Sequence, residues 1–443
     1  MPSGTESLQS QEVGSKVELR PPQGYGVGFI LRLFIPFAMG FFLSVLFRAI
    51  TNVLAPTLIA EFKLTASNLG LMASVYFIVF GAVQMPLGIC LDRYGARRTL
   101  TLILMVAAIG AVWFSQAPSF THLLIGRILM GFGMAACLMA AFKAYNEWIP
   151  PERLPLINGC HTFVGGLGAI TATKPVFLAL KFTSWRGVFI GMAALCLLTC
   201  FLIYFVTPRK KQEGNVTEPM TTQMKDVVRI GITADFWRLA PAATMIQATY
   251  VALNSLWIGP WLKDVAGLSK TAVADKLLIT AFGLTIGYIL AGTVADQLRK
   301  VGITTAGVAL GGTTCFTLVL GAIAIIGAPA GVMSWALLLM FGPFVLLCYP
   351  VYMGMFDRKL AGRVITLYNL LVFLSIFAIS WIMGIIIDMW PPIAGNYNPR
   401  GYHVGLFILF VINALTIVWM VLFKKGKLPF YEKVEEQGRA ARA

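Results

Sequence analysis

Twelve long apolar stretches, separated by short polar segments, run along this sequence. A stretch of about 20 apolar residues matches the roughly 30 Å hydrocarbon core of a bilayer, where a helix satisfies its own backbone hydrogen bonds. We therefore predict an all-α membrane protein with twelve transmembrane helices. The predicted spans are 29–54, 67–90, 99–116, 121–147, 158–181, 187–207, 237–261, 273–296, 303–326, 332–354, 363–388 and 402–423.

The composition agrees with a bilayer location. The chain is 58% hydrophobic and 12% charged, with a mean hydropathy of +0.79, which leaves too few polar residues to coat a water-soluble globule. Its net charge of +16 comes from basic residues in short loops between apolar runs, so we predict no nucleic-acid partner. The seven cysteines show no metal-ligand spacing, and neither a metal nor a cofactor is predicted.

The distribution of basic residues predicts the orientation. With the N-terminus in the cytoplasm, 22 lysine and arginine residues fall in inner loops and tails, and seven fall in outer loops. Because cytoplasmic loops carry the excess of positive charge, this count predicts that both termini are cytoplasmic. The polar residues at the start of the chain contain no apolar core, so we expect the first span itself to direct insertion.

One motif occurs in both halves of the chain. It reads Gly88-x-x-x-Asp92-Arg93-x-Gly95-x-Arg97-Arg98 in the first copy and Gly292-x-x-x-Asp296, followed by Arg299 and Lys300, in the second. The repeat indicates a duplicated helical bundle, which is how many transporters are built. We predict a cytoplasmic tail at 1–28, six-helix bundles at 29–207 and 237–423, a cytoplasmic linker at 208–236 and a basic tail at 424–443.

The first copy of the motif resembles the loop between the second and third helices of the major facilitator superfamily. The resemblance implies two pseudo-symmetric six-helix bundles that give alternating access to a site between them. It also implies that the motif controls the switch between the two states. The residues concerned are Gly88, Asp92, Arg93, Gly95, Arg97 and Arg98, with Asp296 as the second-half counterpart. We expect Asp92 to pair with one of these arginines or with a neighbouring helix end, and the two glycines to allow close approach and a tight turn.

Three of the cations within predicted spans share a depth well inside one end of their helices, where each costs about 2.5–3.5 kcal/mol on insertion scales. Arg48, Arg127 and Lys174 fall at a similar predicted depth, on spans one, four and five. Facing a common cavity, they would form a positive pocket suited to an anion such as a carboxylate or a phosphate. The alternative is that their long side chains reach the nearby interface and have no role in binding.

The second half supplies polar and aromatic candidates. Gln247, Tyr250 and Asn254 recur at helical spacing on span seven, and Tyr349 on span ten and Tyr368 on span eleven are candidates for an opposing wall. The alternative is that these aromatic residues only pack between helices. Trp257 and Trp261 are expected in the aromatic belt at the membrane interface.

The sequence contains none of the common hydrolase, zinc-protease or phosphate-binding motifs, and we predict that the protein is not an enzyme. The reading that these features favour is a monomeric secondary active or facilitative transporter for a small organic anion, in a bacterial inner membrane or a membrane derived from it. Two alternatives stay open. One is a permease for iron, a chelate or another inorganic ion, including the type found in magnetosome membranes. The other is a membrane sensor or scaffold that does not transport.

Overall fold

The computed structural model describes residues 26–150, 153–208, 220–356 and 360–423, and these ranges are mostly helical. The predicted tails at 1–28 and 424–443 and the first part of the linker lie almost entirely outside the described residues. The helices are α1 (Val27–Ala49), α2 (Thr51–Phe62), α3 (Ala66–Ala82), α4 (Gln84–Ser115), α5 (Phe120–Met134), α6 (Cys137–Trp148), α7 (Leu154–Thr171), α8 (Lys174–Ala179), α9 (Trp185–Phe201), α10 (Met220–Gly231), α11 (Ala234–Ala252), α12 (Ile258–Asp264), α13 (Lys270–Arg299), α14 (Thr305–Ile326), α15 (Gly331–Phe341), α16 (Cys348–Met355), α17 (Ala361–Asp388) and α18 (Pro399–Leu422).

These helices are consistent with the twelve predicted spans. Within the described ranges, nine helices are long and apolar enough to cross a membrane. The other three predicted spans coincide with α3, with α7 and α8, and with α11 and α12, which are shorter or interrupted. One predicted boundary is wrong by more than a turn, because α2 continues the first span to Phe62, eight residues beyond the expected end.

Three interrupted spans carry predicted site residues. Span five breaks between α7 and α8, directly before Lys174 and Pro175, and proline cannot donate the backbone hydrogen bond that would continue the helix. Span seven contains a π-helical segment at Leu253–Trp257, and span ten contains a 3₁₀ segment at Gly342–Leu347. Interruptions of this kind are frequent at functional sites in membrane helices.

The two halves of the chain meet mainly along α3 and α17. Glycines allow the two antiparallel helices to approach closely: a Cβ atom on Gly70 would lie 2.4 Å from the Ser380 carbonyl oxygen, and one on Gly384 would lie 2.3 Å from the Ala66 carbonyl oxygen. Close backbone approach through small residues is the usual way that helices associate in a membrane. This contact is the main seam between the first half (residues 26–208) and the second half (residues 220–423).

The expected interfacial position of two tryptophans is wrong. Trp257 and Trp261 are each only 1% exposed. The Trp257 ring centre lies 6.2 Å from that of Tyr402, and the Trp261 ring centre lies 5.2 Å from that of Trp335. Both residues therefore pack inside the second half, where aromatic rings prefer such edge-to-face contacts.

Candidate functional site: a cation and an aromatic wall between the two halves

Arg48 is the predicted cation that faces the space between the halves. It is half-buried, its Nη2 atom lies 3.4 Å from the Ser44 hydroxyl, and its guanidinium carbon lies 5.3 Å from the ring centre of Phe80. The Phe80 ring in turn lies 4.8 Å from that of Phe373, which belongs to the second half. Tyr250 and Tyr288 of the second half lie within range of electrostatic interaction with Arg48. Its Nε atom is buried and has no hydrogen-bond partner among the described residues.

The aromatic residues of the second half form a hydrogen-bonded wall. The Tyr368 hydroxyl donates to the side-chain oxygen of Gln247, whose amide nitrogen lies 3.4 Å from the Tyr349 hydroxyl. Tyr349 in turn donates to the Asn369 side-chain oxygen over 2.5 Å. Tyr250 packs beside this group against Gly342. Four of the predicted residues, Gln247, Tyr250, Tyr349 and Tyr368, are thus brought to one region; we call them, with Asn369 and Tyr288, the aromatic wall.

Arg127 lies inside the first half. It is 1% exposed, its Nη1 atom donates to the Phe47 carbonyl over 3.1 Å, and its Nη2 atom donates to the Thr51 hydroxyl. The Phe114 ring covers the guanidinium at 5.3 Å. Arg127 therefore connects span four to span one at the level of Arg48, and its hydrogen bonds go to protein groups.

Lys174 has a carboxylate partner in the other half. Its Nζ atom lies 2.7 Å from Asp275 Oδ1 on α13, and the two side chains are 44% and 42% exposed. The three predicted cations thus have three different surroundings. Arg48 faces the aromatic wall, Arg127 is enclosed in the first half, and Lys174 forms an ion pair with Asp275 of the second half.

Asp388, at the end of α17, caps the start of α3 in the other half. Its carboxylate accepts hydrogen bonds from the backbone nitrogens of Ala66 and Ser67, each over 2.8 Å, and from the Ser67 hydroxyl over 2.6 Å. A carboxylate at a helix N-terminus satisfies unpaired N–H groups and interacts favourably with the helix dipole. Nearby, the Tyr397 hydroxyl donates to the Leu64 carbonyl over 2.8 Å. We call this end of the molecule the Asp388 end.

Asn52 makes a further contact between the halves. Its side-chain nitrogen donates to the Asn254 carbonyl, and its side-chain oxygen accepts from the Gly259 backbone nitrogen over 2.9 Å. Asn254 lies within the π-helical segment of span seven, and Gly259 follows the end of that segment by two residues. Asn254, predicted as a binding residue, therefore contributes its backbone to the closure between the halves.

The same end of the first half is held together by Glu61. It accepts a hydrogen bond from the Trp185 ring nitrogen over 2.7 Å and pairs with Arg186 at 2.6 Å. These contacts fix α2 to α9, so the first half has its own bonds at the Asp388 end.

The motif loop lies at the opposite end, which we call the Asp92 end. Asp92 pairs with Lys143 on α6, with 2.5 Å between Oδ1 and Nζ, and not with the arginines of its own loop. Gly95 has a φ of 83°, which gives the predicted tight turn, whereas no atom lies within 4 Å of a Cβ built on Gly88. Asp296 is exposed and forms no ion pair within the described ranges.

The loop arginines contact the first half. Arg97 donates to the Tyr204 carbonyl, and its guanidinium carbon lies 4.9 Å from the Tyr204 ring centre. The Arg93 guanidinium lies 5.4 Å from the Tyr94 ring centre. Together with Arg98 they line a cavity of about 490 Å³ among first-half helices. Between residues that the structure describes, no hydrogen bond or ion pair joins the halves at the Asp92 end.

Sequence reasoning did not find several of these residues. Tyr288 is a single tyrosine in an apolar run, and nothing in the run marks it as facing Arg48. The position of Asn52 could be predicted from the sequence, because Asn52 lies one helical turn after Arg48 and therefore on the same face of the predicted helix. Asp388 is the last residue of the predicted span 363–388, but its contact with Ser67 joins residues 321 positions apart, which the sequence does not reveal.

Two helical halves pack around Arg48 and the aromatic wall, and the bonds between the halves that join described residues lie at the Asp388 end. This arrangement defines the class of membrane proteins to which secondary transporters belong. The chain belongs to the Major Facilitator Superfamily, whose sequence profile matches residues 37–380. The fold and family predictions are therefore confirmed.

Related proteins with curated names are transporters and not enzymes, in agreement with the sequence prediction. The probable sulfoacetate transporter SauU of Cupriavidus necator is 25% identical over 280 residues, which cover 59% of this chain and 63% of that protein. The hexuronate transporter of Bacillus subtilis is 25% identical over 57% of this chain and 61% of its own length. The probable nitrate/nitrite antiporter NarK1 of Thermus thermophilus is 27% identical over 56% and 58%. The chain thus spans about three fifths of the length of these relatives.

Solved structures of transporters share the fold. A D-xylose-proton symporter aligns with a TM-score of 0.71 and 17% identity, over 90% of this chain and all of the other. The nucleoside transporter NupG aligns with a TM-score of 0.71 and 14% identity, over 90% of this chain and 99% of the other. At this identity the likeness shows the shared helical architecture.

Proposed function

We propose that this protein is a secondary active or facilitative transporter that moves a small organic anion across the membrane by alternating access. The observation that carries the proposal is the half-buried Arg48, which lies against Phe80 where that ring meets Phe373 of the second half, and which has no carboxylate partner among the described residues. A cation held in this way between two halves is a binding group for a carboxylate, because guanidinium groups form strong paired hydrogen bonds with carboxylate oxygens.

The names of the relatives support an anionic substrate. Sulfoacetate, hexuronates, nitrate and nitrite are all anions, and the two organic ones carry carboxylates. The aromatic wall opposite Arg48 offers hydroxyl and amide groups, such as those of Tyr349 and Gln247, to the polar remainder of a substrate. In this proposal Arg48 selects substrates by their negative charge, and the aromatic wall selects them by their shape.

The contacts between the halves support one state of an alternating-access cycle. The bonds between the halves that join described residues occur at the Asp388 end. In the orientation that the basic residues predict, the Asp388 end is periplasmic. The conformation is then closed to the periplasm, with the Asp92 end cytoplasmic.

Reporter fusions expressed in the bacterial inner membrane test this orientation. The segment 209–225 should be cytoplasmic, and the segment 396–400 should be on the outer side. Opposite labelling would reverse the assignment.

The metal-permease alternative receives no support from this site. The part of the chain that the structure describes has no group of three or more histidine, cysteine, aspartate or glutamate residues able to hold a metal ion. A chelated, anionic iron species would use the same Arg48 chemistry and is included as a test substrate. The sensor or scaffold alternative differs from a transporter in one observable, which is flux.

Uptake into proteoliposomes tests the proposal. The panel is sulfoacetate, glucuronate, nitrate, ferric citrate, xylose and a nucleoside, each with and without a pH gradient. We expect uptake of an organic anion that Arg48→Gln weakens by about 10–150-fold in apparent affinity, because a hydrogen bond to a charged group contributes about 1.5–3 kcal/mol.

The control is Lys270→Gln, which removes one exposed positive charge at the Asp388 end and should leave affinity unchanged. Arg48→Gln should insert normally, since it removes a charge from a span. Uptake of neutral xylose but no anion would contradict the proposed substrate class, and an absence of flux for every compound would favour the sensor. The sequence leaves open whether transport occurs by facilitated diffusion, exchange or symport. An uptake rate that depends on the pH gradient would identify proton coupling.

A further inference from the structure

The predicted polar linker at 208–236 contains an amphipathic helix, α10 (Met220–Gly231). One face of this helix packs on α17: Ile230 is 2% exposed, and a Cβ on Gly231 would lie 3.5 Å from the Leu367 side chain. Asp226 forms an ion pair with Arg363 in the first turn of α17. The helix is thus attached to the start of the span that forms the seam with α3.

The opposite face of α10 exposes apolar side chains. Met224 is 52% exposed, Val228 is 64% exposed, and Ile232, directly after the helix, is 79% exposed. Residues four apart lie on one side of a helix, so the three form a single stripe. Leaving such a stripe in water is unfavourable, and it indicates an apolar surface on the other side.

The stripe continues into the lipid-facing surface of the spans. Trp237, 42% exposed, donates from its ring nitrogen to the Gly231 carbonyl over 2.6 Å. The Trp237 carbonyl accepts from the ring nitrogen of Trp419, which is 43% exposed on α18. Tryptophans concentrate at the boundary between lipid headgroups and acyl chains. These two therefore locate the end of α10 at that boundary.

Two basic side chains stand beside the stripe. Lys225 and Arg229 are exposed and follow Met224 and Val228 by one residue each. An apolar face flanked by lysine and arginine is typical of helices that lie in the plane of a membrane surface and bind anionic lipids.

We propose that α10 is an interfacial helix that binds anionic phospholipid headgroups. Met224, Val228 and Ile232 enter the acyl boundary, and Lys225 and Arg229 contact the headgroup phosphates. The occupant of this face is the bilayer on the Asp92 end, and the inference is independent of which substrate the protein transports.

Hydrogen–deuterium exchange of the full chain in lipid nanodiscs tests this proposal. Nanodiscs of phosphatidylcholine alone are compared with nanodiscs that contain phosphatidylglycerol, and exchange is measured for amides 220–231. We expect exchange to slow by about tenfold or more in the anionic lipid. Lys225→Gln with Arg229→Gln should abolish this difference, because each basic residue near an anionic surface contributes roughly fivefold to binding.

The matched control is Lys63→Gln with Lys270→Gln, which removes two exposed charges at the Asp388 end and should keep the lipid-dependent protection. Met224→Gln with Val228→Asn should speed exchange in both lipids, because it removes the apolar contact that either bilayer provides. Equal exchange in the two lipids for the unaltered chain would overturn the proposal. So would protection that persists in the Lys225 and Arg229 variant, or protection that depends on self-association of the protein and not on lipid.

Discussion

The two ends of this molecule use their charged residues differently. At the Asp388 end, Asp388 and Asp275 bond to groups of the other half. At the Asp92 end, Asp92 bonds to Lys143 of its own half, and Asp226 bonds to Arg363 of its own half. The comparison shows that the bonds between the halves at the Asp388 end depend on the conformation of the whole protein, whereas the Asp92–Lys143 and Asp226–Arg363 bonds can persist while the halves move.

The difference has an energetic consequence. Two conformations of a transporter are separated by only a few kcal/mol, so bonds that exist in one conformation alone determine which is populated. Bonds within a half are compatible with both conformations, so they stabilise that half without favouring either conformation. Substitutions of Asp388 and Asn52 should therefore shift the conformational equilibrium more strongly than substitution of Asp92.

The largest effect is expected for Asp388→Asn. It removes the negative charge that caps α3, and hydrogen bonds to a charged group contribute about 1.5–3 kcal/mol. We expect the Asp388 end to open in a larger fraction of molecules, which distance measurements between spin labels at 182 and 389 would detect. Ser67→Ala, which removes one of the three hydrogen bonds, should shift the distances in the same direction but less. An unchanged distance distribution in Asp388→Asn would show that the cap does not hold this end closed.

An intermediate effect is expected for Asn52→Ala. The side chain makes two hydrogen bonds to the second half, each contributing about 0.5–1.5 kcal/mol net. The same pair of labels should report partial opening of the Asp388 end. Thr65→Ala, which removes an N-cap hydrogen bond inside the first half, is the control and should leave the distance between the halves unchanged.

Asp92→Asn should affect transport more than stability. The Asp92 side chain is 52% exposed, so the Lys143 pair contributes only about 0.2–1 kcal/mol to the free energy of unfolding. Membrane abundance should stay nearly constant while the uptake rate falls, if the motif acts in the switch as the family resemblance implies. Exchanging the two charges, Asp92→Lys with Lys143→Asp, should restore part of the rate. A normal uptake rate for Asp92→Asn at matched protein level would count against a role in switching.

The smallest effect is expected for Lys174→Gln. Both members of the Lys174–Asp275 pair are more than 40% exposed, and exposed pairs contribute about 0.2–1 kcal/mol. We expect a small shift in the distance between labels at 182 and 389, decreasing as salt increases, and no loss of substrate affinity. Asp275→Asn should behave alike. A loss of affinity comparable to that of Arg48→Gln would show instead that Lys174 binds substrate.

The sequence predicts the helices better than the contacts between them. Hydropathy locates the spans, and the repeat indicates the duplication, because both depend on residues that are near each other in the chain. The depth of Arg48, Arg127 and Lys174 also follows from the spans. The directions in which these side chains point do not follow from the spans. Their partners, such as Thr51 and Asp275, depend on the rotation of each helix about its axis and on where a helix is interrupted. The interruption directly before Lys174 is one such break.

Measuring the distances at both ends in one protein tests the account most directly. Genetically encoded spin labels at 94 and 301 report on the Asp92 end, and labels at 182 and 389 report on the Asp388 end, with the seven native cysteines left in place. Adding the organic anion found in the uptake panel should shorten the first distance and lengthen the second in a fraction of molecules. The same anion should change neither distance in Arg48→Gln. Equal shifts in Arg48→Gln, or movement at only one end, would contradict an anion site between two halves that open alternately.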